Sequence, residues 1–226
     1  MSGFFCDGTI FESLFRIITM KIRLLVLCIF PLAVYAGGNG YIKDFKVYRQ
    51  DTSYFARKVY TEHTWQTFFA LPEVNRSIDP KSPDIHLLNA CLFFAANQLR
   101  EKQQLKPLAI DFTLRDAAAA HSFQMSSRHF FSHQNPYVPA LKNPATRLEL
   151  FQIDFDMQAE NCHMRTLEED EFTYKELARD IIQGFYNSKP HRENLLTPEF
   201  SYSSDAAAIS KKGSNYLLYV TQNFYD

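Results

Sequence analysis

From Asp84 onward the apolar residues recur at helical spacing: Leu88, Cys91, Leu92, Ala95 and Leu99 fall on one stripe and predict an amphipathic helix over 85–103. A second stripe, Leu114, Ala118, His121 and Met125, follows Lys106-Pro107-Leu108, with Thr113-x-x-Asp116 reading as its capping box. The four alanines 117–120 on this helix suit the close approach of a neighbouring element. Pro136, Pro139, Asn143 and Pro144 then break the pattern into a loop over 134–146, with one helical turn starting at Pro144. Residues 154–162 alternate as a short strand, and a third long helix fits 169–187, with Phe172, Leu177, Ile181 and Phe185 on one side. Glu169, Asp170 and Glu171 lie near its positive N-terminal end, and Ser188-Lys189-Pro190 stops it. Two strands, 205–210 and 216–223, flank the hairpin signal Lys211-Lys212-Gly213. Helices first and antiparallel strands late define an α+β chain.

The beginning of the chain reads differently. Lys21 and Arg23 precede the apolar run Leu24 to Val34, and Val34-Tyr35-Ala36 offers small residues to a signal peptidase. Residues 1–36 therefore read as an N-terminal extension and signal peptide, with Met20 as the true start and cleavage after Ala36. That places the protein outside the cytoplasm, secreted or periplasmic. The run is too short for a stable membrane span, and Leu27 before Cys28 lacks the small residue of a lipoprotein box. Residues 37–84 form a lead-in segment, expected to pack loosely on a domain over 85–226.

Removing residues 1–36 leaves 21 basic against 23 acidic residues, a near-neutral balance that argues against nucleic-acid binding, and no basic stripe interleaved with aromatics appears. A hydrophobic content of 46% gives the remainder one real core, expected as a monomer. Only Cys91 and Cys162 lie beyond the extension; a bridge between them is open, but Cys91 on an apolar stripe favours two buried thiols.

Three polar residues stand beside turn-forming positions at the ends of patterned segments: His133 in Phe-Phe-Ser-His, Glu160 in Ala-Glu-Asn and His191 in Ser-Lys-Pro-His-Arg-Glu-Asn. Converging on one cleft, two imidazoles and a carboxylate can ligate a divalent metal such as zinc, act as general acid and base, or hydrogen-bond to a ligand, and the spacing does not choose among these. His121, on an apolar stripe, reads instead as a core histidine. The chain has no His-Glu-x-x-His, and Gly184 is the only glycine in 85–200, so no nucleophile elbow or phosphate loop can be built. Binding is easier to derive than catalysis.

Seven short motifs in fixed order carry a family resemblance: Asn97-Gln98-Leu99-Arg100 with Lys106-Pro107-Leu108, Ala119-Ala120-His121-Ser122 with Met125, Phe130-Phe131-Ser132-His133, Ala159-Glu160-Asn161, Ser188-Lys189-Pro190-His191-Arg192-Glu193-Asn194, and Tyr219-Val220-Thr221-Gln222-Asn223-Phe224. Over 85–226 the chain resembles the bacterial branch of the CAP superfamily, also called SCP-like. The resemblance implies a three-layer α-β-α sandwich with a small antiparallel sheet between helices, and a cleft in which His133, Glu160 and His191 meet, with Ser188 and Asn161 as neighbours. It further implies binding of a divalent metal or of a small molecule or lipid, with no enzymatic activity general to the fold. Asn187-Ser188 stands where many relatives carry a second cleft glutamate, Phe185 where a Trp is common, and Gln152 where a Gly often follows the loop arginine, here Arg147. Alternatives to a binding cleft are a metal-dependent hydrolase of envelope material and an interaction domain with a vestigial cleft.

Overall fold

The computed structural model describes residues 53–226; the extension, the signal peptide with its cleavage site and the first part of the lead-in lie outside the described residues. Five helices and a four-stranded sheet form the frame of the described residues: α1 (Ile85–Lys102), β1 (Ala109–Ile110), α2 (Phe112–Arg128), α3 (Pro144–Leu150), β2 (Gln158–Leu167), α4 (Tyr174–Asn187), α5 (Lys189–Leu196), β3 (Tyr202–Lys212) and β4 (Asn215–Tyr225).

The sheet order is β1-β3-β4-β2, antiparallel throughout except for the two-residue parallel pairing of β1 with β3. Strand alternation sorts its residues into two layers. Ala207, Leu218, Val220 and Phe224 face a core built with Leu88, Leu92, Leu177, Ile181 and Phe185 of α1 and α4. Cys162 and Tyr219 face the other way and pack on Met125 of α2. The predicted α-β-α sandwich is therefore observed, with β1 as a short parallel addition to the expected antiparallel sheet.

α1 is buried on nearly every side, and several of its polar residues tie it to neighbouring segments by hydrogen bonds. Asn97 accepts from Leu108 N at 2.8 Å and donates to Leu108 O at 3.0 Å, while Asn89 Oδ1 accepts from Ala207 N at 2.8 Å. Fully buried Arg100 donates to the carbonyls of Lys106, Leu195 and Thr197, tying the end of α1 to the end of α5. On α2 the small residues do what the alanine run predicts: Ser122 Oγ lies 2.8 Å from both Ala206 O and Thr221 Oγ1.

Several boundaries shift for local reasons. Asp111, not Thr113, caps α2, because its Oδ1 accepts from the amides of Thr113 and Leu114 at 2.7 and 3.4 Å. α4 starts at Tyr174 because Thr173 and Glu176 form a reciprocal capping box; the acidic run lies in a preceding turn, where Asp170 has φ 56°. β2 extends to Leu167, past the predicted strand end. Ser188 does end α4, but Pro190 sits in the first turn of α5 and starts a helix instead of closing one. The β3–β4 hairpin turns at Gly213, whose φ of 63° carries no Cβ penalty.

From residue 53 onward the lead-in is part of the core, contrary to the expected loose packing. Val59, Phe68 and Val74 are fully buried, Phe68 stacks on Phe94 at 4.3 Å, and Tyr60 meets Phe93 edge-on at 5.3 Å. Removing each such ring from water contributes about 1.5–3 kcal/mol. Cys91 and Cys162 are both free, buried thiols.

Candidate functional site

β2 is an edge strand, and successive residues on it serve opposite layers. Glu160 points toward α2 and α3. His133, in the loop after α2, holds Glu160 Oε1 through Nδ1 at 2.9 Å, and Arg147 of α3 donates to Oε2 at 2.5 Å. The same guanidinium, fully buried, donates to His133 O at 3.2 Å and to Leu141 O at 2.9 Å, so one side chain clamps the loop and neutralises the carboxylate. Burial alone would raise the Glu160 carboxyl, but the His133 hydrogen bond and the Arg147 charge together outweigh it and hold the group below the usual carboxylate range.

His121 lies behind this pair. Its Nε2 contacts Ser132 O at 2.9 Å and stands 3.8 Å from Glu160 Oε1; burial above all pushes its pKa down to about 4, so the ring is neutral. Cys162, two residues beyond Glu160 on the same strand face, places Sγ 3.5 Å from Oε1 and 3.7 Å from His133 Nδ1. Burial, followed by the Glu160 charge, pushes this thiol well above its ordinary pKa.

Asn161 points the opposite way. Its Nδ2 donates to His191 O at 3.2 Å and to Gln222 Oε1 at 3.1 Å, while its Oδ1 accepts from Asn194 at 2.9 Å, which fixes α5 against the edge strand. The chain continues inward: Gln222 Nε2 donates at 2.9 Å to Asp205, whose carboxyl is pushed up to about 8 by burial. The half-buried His191 ring packs on Phe185 at 5.3 Å and makes no side-chain hydrogen bond among the described residues. Its pKa is lowered, first by desolvation and then by the charge of nearby His133. The imidazoles thus approach the edge strand from its two faces and sense each other electrostatically.

His133 and Glu160 are in direct contact, Asn161 anchors the third residue through its backbone, and Ser188 is the cap between α4 and α5, its carbonyl accepting from Arg192 N. His191 is helical, in the first turn of α5, and not on a loop. The roles of Arg147 and Cys162 were missed in the sequence. Cys162 was recoverable, since i and i+2 on a strand share a face. Arg147 had no such signal, because its partners, the Glu160 carboxylate and two loop carbonyls, stand at no periodic spacing from it. For a metal shared by His133, Glu160 and His191 the donor set fits only in part: both Glu160 oxygens already have partners and a cation sits on one, so the carboxylate suits orienting His133 better than direct ligation at the cleft mouth. An open groove of about 240 Å³ lies elsewhere, between α1 and α4, lined by Ala95, Gln98, Leu99, Arg179 and Ile182 among others.

An α-β-α sandwich with an edge-strand glutamate held between a loop histidine and a buried arginine defines the class of this molecule. The model of the cysteine-rich secretory protein family, CAP, matches residues 93–224, and the chain belongs to that family. It is 33% identical over 106 residues to YkwD of Bacillus subtilis, covering 47% of this chain and 37% of that protein. To the membrane protein YlbC of the same organism it is 27% identical over 128 residues, covering 57% and 31%. The chain thus spans roughly a third of the length of these curated relatives. Among solved structures, an extracellular SCP-domain protein from Bacillus anthracis is 28% identical, with 61% and 40% of the two chains covered and a TM-score of 0.46. An outer surface protein from Borrelia burgdorferi is 18% identical, with 67% and 98% covered and a TM-score of 0.49.

Proposed function

We propose that the protein is a CAP-domain binding protein of the cell exterior, secreted or periplasmic, whose cleft takes a divalent cation or a small polar ligand at His133 and His191. The observation that carries this reading is the His133 Nδ1 to Glu160 Oε1 hydrogen bond of 2.9 Å. A carboxylate on Nδ1 fixes the proton there and leaves the Nε2 lone pair facing outward, the usual support of a metal-binding imidazole. His191, with its lowered pKa, supplies a second neutral imidazole. Hydrolysis fits less well. A general base needs a free carboxylate, and Glu160 is paired with Arg147 and buried. The apolar run in residues 24–34 supports export, and among the described residues no helix is long and apolar enough to cross a membrane.

The reading is tested by calorimetric titration with nickel(II), an ion that favours imidazole. Wild type should bind, and His133→Ala and His191→Ala should each lose at least about tenfold in affinity. Equal binding by all three proteins, or no heat from wild type, would remove the cation reading of the cleft.

A further inference from the structure

The face of the sheet that holds Glu160 gathers more donor atoms than the cleft mouth uses. Around Glu160 Oε1 stand His133 Nδ1 at 2.9 Å, Cys162 Sγ at 3.5 Å and His121 Nε2 at 3.8 Å, and Sγ is 3.7 Å from His133 Nδ1. Ligand atoms of His121, Glu160 and Cys162 all lie within 4.8 Å of one another. A tetrahedral zinc ion, with bonds of about 2.3 Å to sulfur and about 2.0 Å to nitrogen or oxygen, places S/O and S/N donors about 3.5 Å apart and N/O donors about 3.3 Å apart. The four spacings around the sulfur and the oxygen depart from that geometry by no more than about 0.5 Å.

The scaffold holds this arrangement before any ion arrives. Glu160 and Cys162 share a strand face, His121 is fixed on α2, and His133 is held by the Arg147 clamp. Nδ1 of the fully buried His121 ring has no hydrogen bond among the described residues, so no partner there opposes the change of tautomer that ligation through Nε2 needs.

We propose that Cys162, Glu160, His133 and His121 form an inner metal site, with one thiolate, for a zinc-like divalent ion. The site goes beyond the cleft reading, shares His133 and Glu160 with it, and excludes it while occupied, because His133 Nδ1 then holds the inner ion in place of Glu160. As the sulfur–metal bond forms, the Cys162 S–H proton leaves to solvent; the His133 proton passes from Nδ1 to Nε2 through solvent and the ring stays neutral. His121 exchanges its bond to Ser132 O for the ion, and its proton is taken up at the unpartnered Nδ1. One proton is therefore released per ion. Arg147 stays on Glu160 Oε2, orienting the ligand from behind, so carboxylate and thiolate together leave the ion and the guanidinium with one net positive charge. His133, with a side chain 48% exposed, is the door to the site.

Cobalt(II) titration of the reduced full-length protein reads the sulfur bond directly, because a thiolate ligand gives a sulfur-to-cobalt charge-transfer band that imidazoles cannot. The band should appear with one equivalent, vanish in Cys162→Ser, and survive in both Cys91→Ser and His191→Ala. Calorimetry in two buffers should show release of about one proton per ion. No band in wild type, or a band that persists in Cys162→Ser, overturns the inner site and leaves the nickel result at the cleft mouth standing; loss of the nickel signal with the band intact does the reverse. If Cys162→Ser fails to fold, thiol labelling of wild type replaces it: cobalt should protect Cys162, located by peptide mass, and equal labelling with and without the ion overturns the proposal.

Discussion

At the residue scale the site is governed by how buried charges are matched. Replacing Arg147 with Met would strand the Glu160 carboxylate in the interior and release two loop carbonyls, at a cost of about 3–5 kcal/mol in chemical denaturation. Combining it with Glu160→Met should recover part of that loss, which a double-mutant cycle measures. Asp205 offers a test with a definite sign. Its folded pKa is raised to about 8, above the ordinary aspartate value, so the folded protein keeps a proton that the unfolded chain releases, and stability is lost as pH rises from about 4 to about 8. Asp205→Asn keeps the acceptor for Gln222 and needs no proton. Thermal melts should coincide near pH 4 and favour the variant at pH 8 by on the order of 2 kcal/mol; no gap at pH 8 would contradict the assignment. His121 slopes the other way: its folded pKa is lowered to about 4, so stability falls as pH drops from about 6.5 toward about 4. The Asp205→Asn background isolates that acid limb in urea titrations. The sequence marked His133, Glu160 and His191 as the polar residues beside turns, but not their partners. Arg147 acts through backbone carbonyls and Asp205 through a side-chain chain across the sheet, and neither relation leaves a spacing to read.

At the element scale, periodicity located every long helix and both hairpin strands, while the ends depended on capping chemistry. The sequence pointed to a box at Thr113; Asp111 caps α2 instead because its carboxylate reaches two amides at once. The acidic run 168–171 looked like a helix start, yet the box of Thr173 and Glu176 satisfies the first amides of α4 and leaves the run outside. Thr173→Ala should therefore lower stability by about 1 kcal/mol, whereas Glu168→Ala in the acidic run should not; equal losses in denaturant titration would argue that α4 begins earlier. The two-residue strand β1 was not legible, since it carries no alternation and exists only because Asn97 and β3 hold the segment 108–110 in place.

At the scale of the whole molecule, the family match and the folded unit do not coincide. The match begins at residue 93, inside α1, while Val59, Phe68 and Val74 upstream are fully buried in the same core. Composition over residues 37–80, rich in Tyr, Thr, Lys and Arg without a clean period, hid this, because the apolar residues of 53–80 are spread over short helical turns instead of one stripe. A fragment of residues 53–226 should unfold cooperatively, and one of residues 81–226 should show exposed apolar surface by dye binding and a broadened transition, because Phe93 and Phe94 lose their ring partners. Indistinguishable melting of the two would demote the lead-in to decoration.

The arginine that grips both the His133 carbonyl and the glutamate has a practical meaning for protein engineers. Because the imidazole's perch is secured from inside, by a residue outside the loop itself, the outward positions Gln134 and Ala140 can be randomised in a library without disturbing the histidine's aim. New recognition could then be selected around an unchanged anchor, provided Asn143 to Leu148 is kept as written.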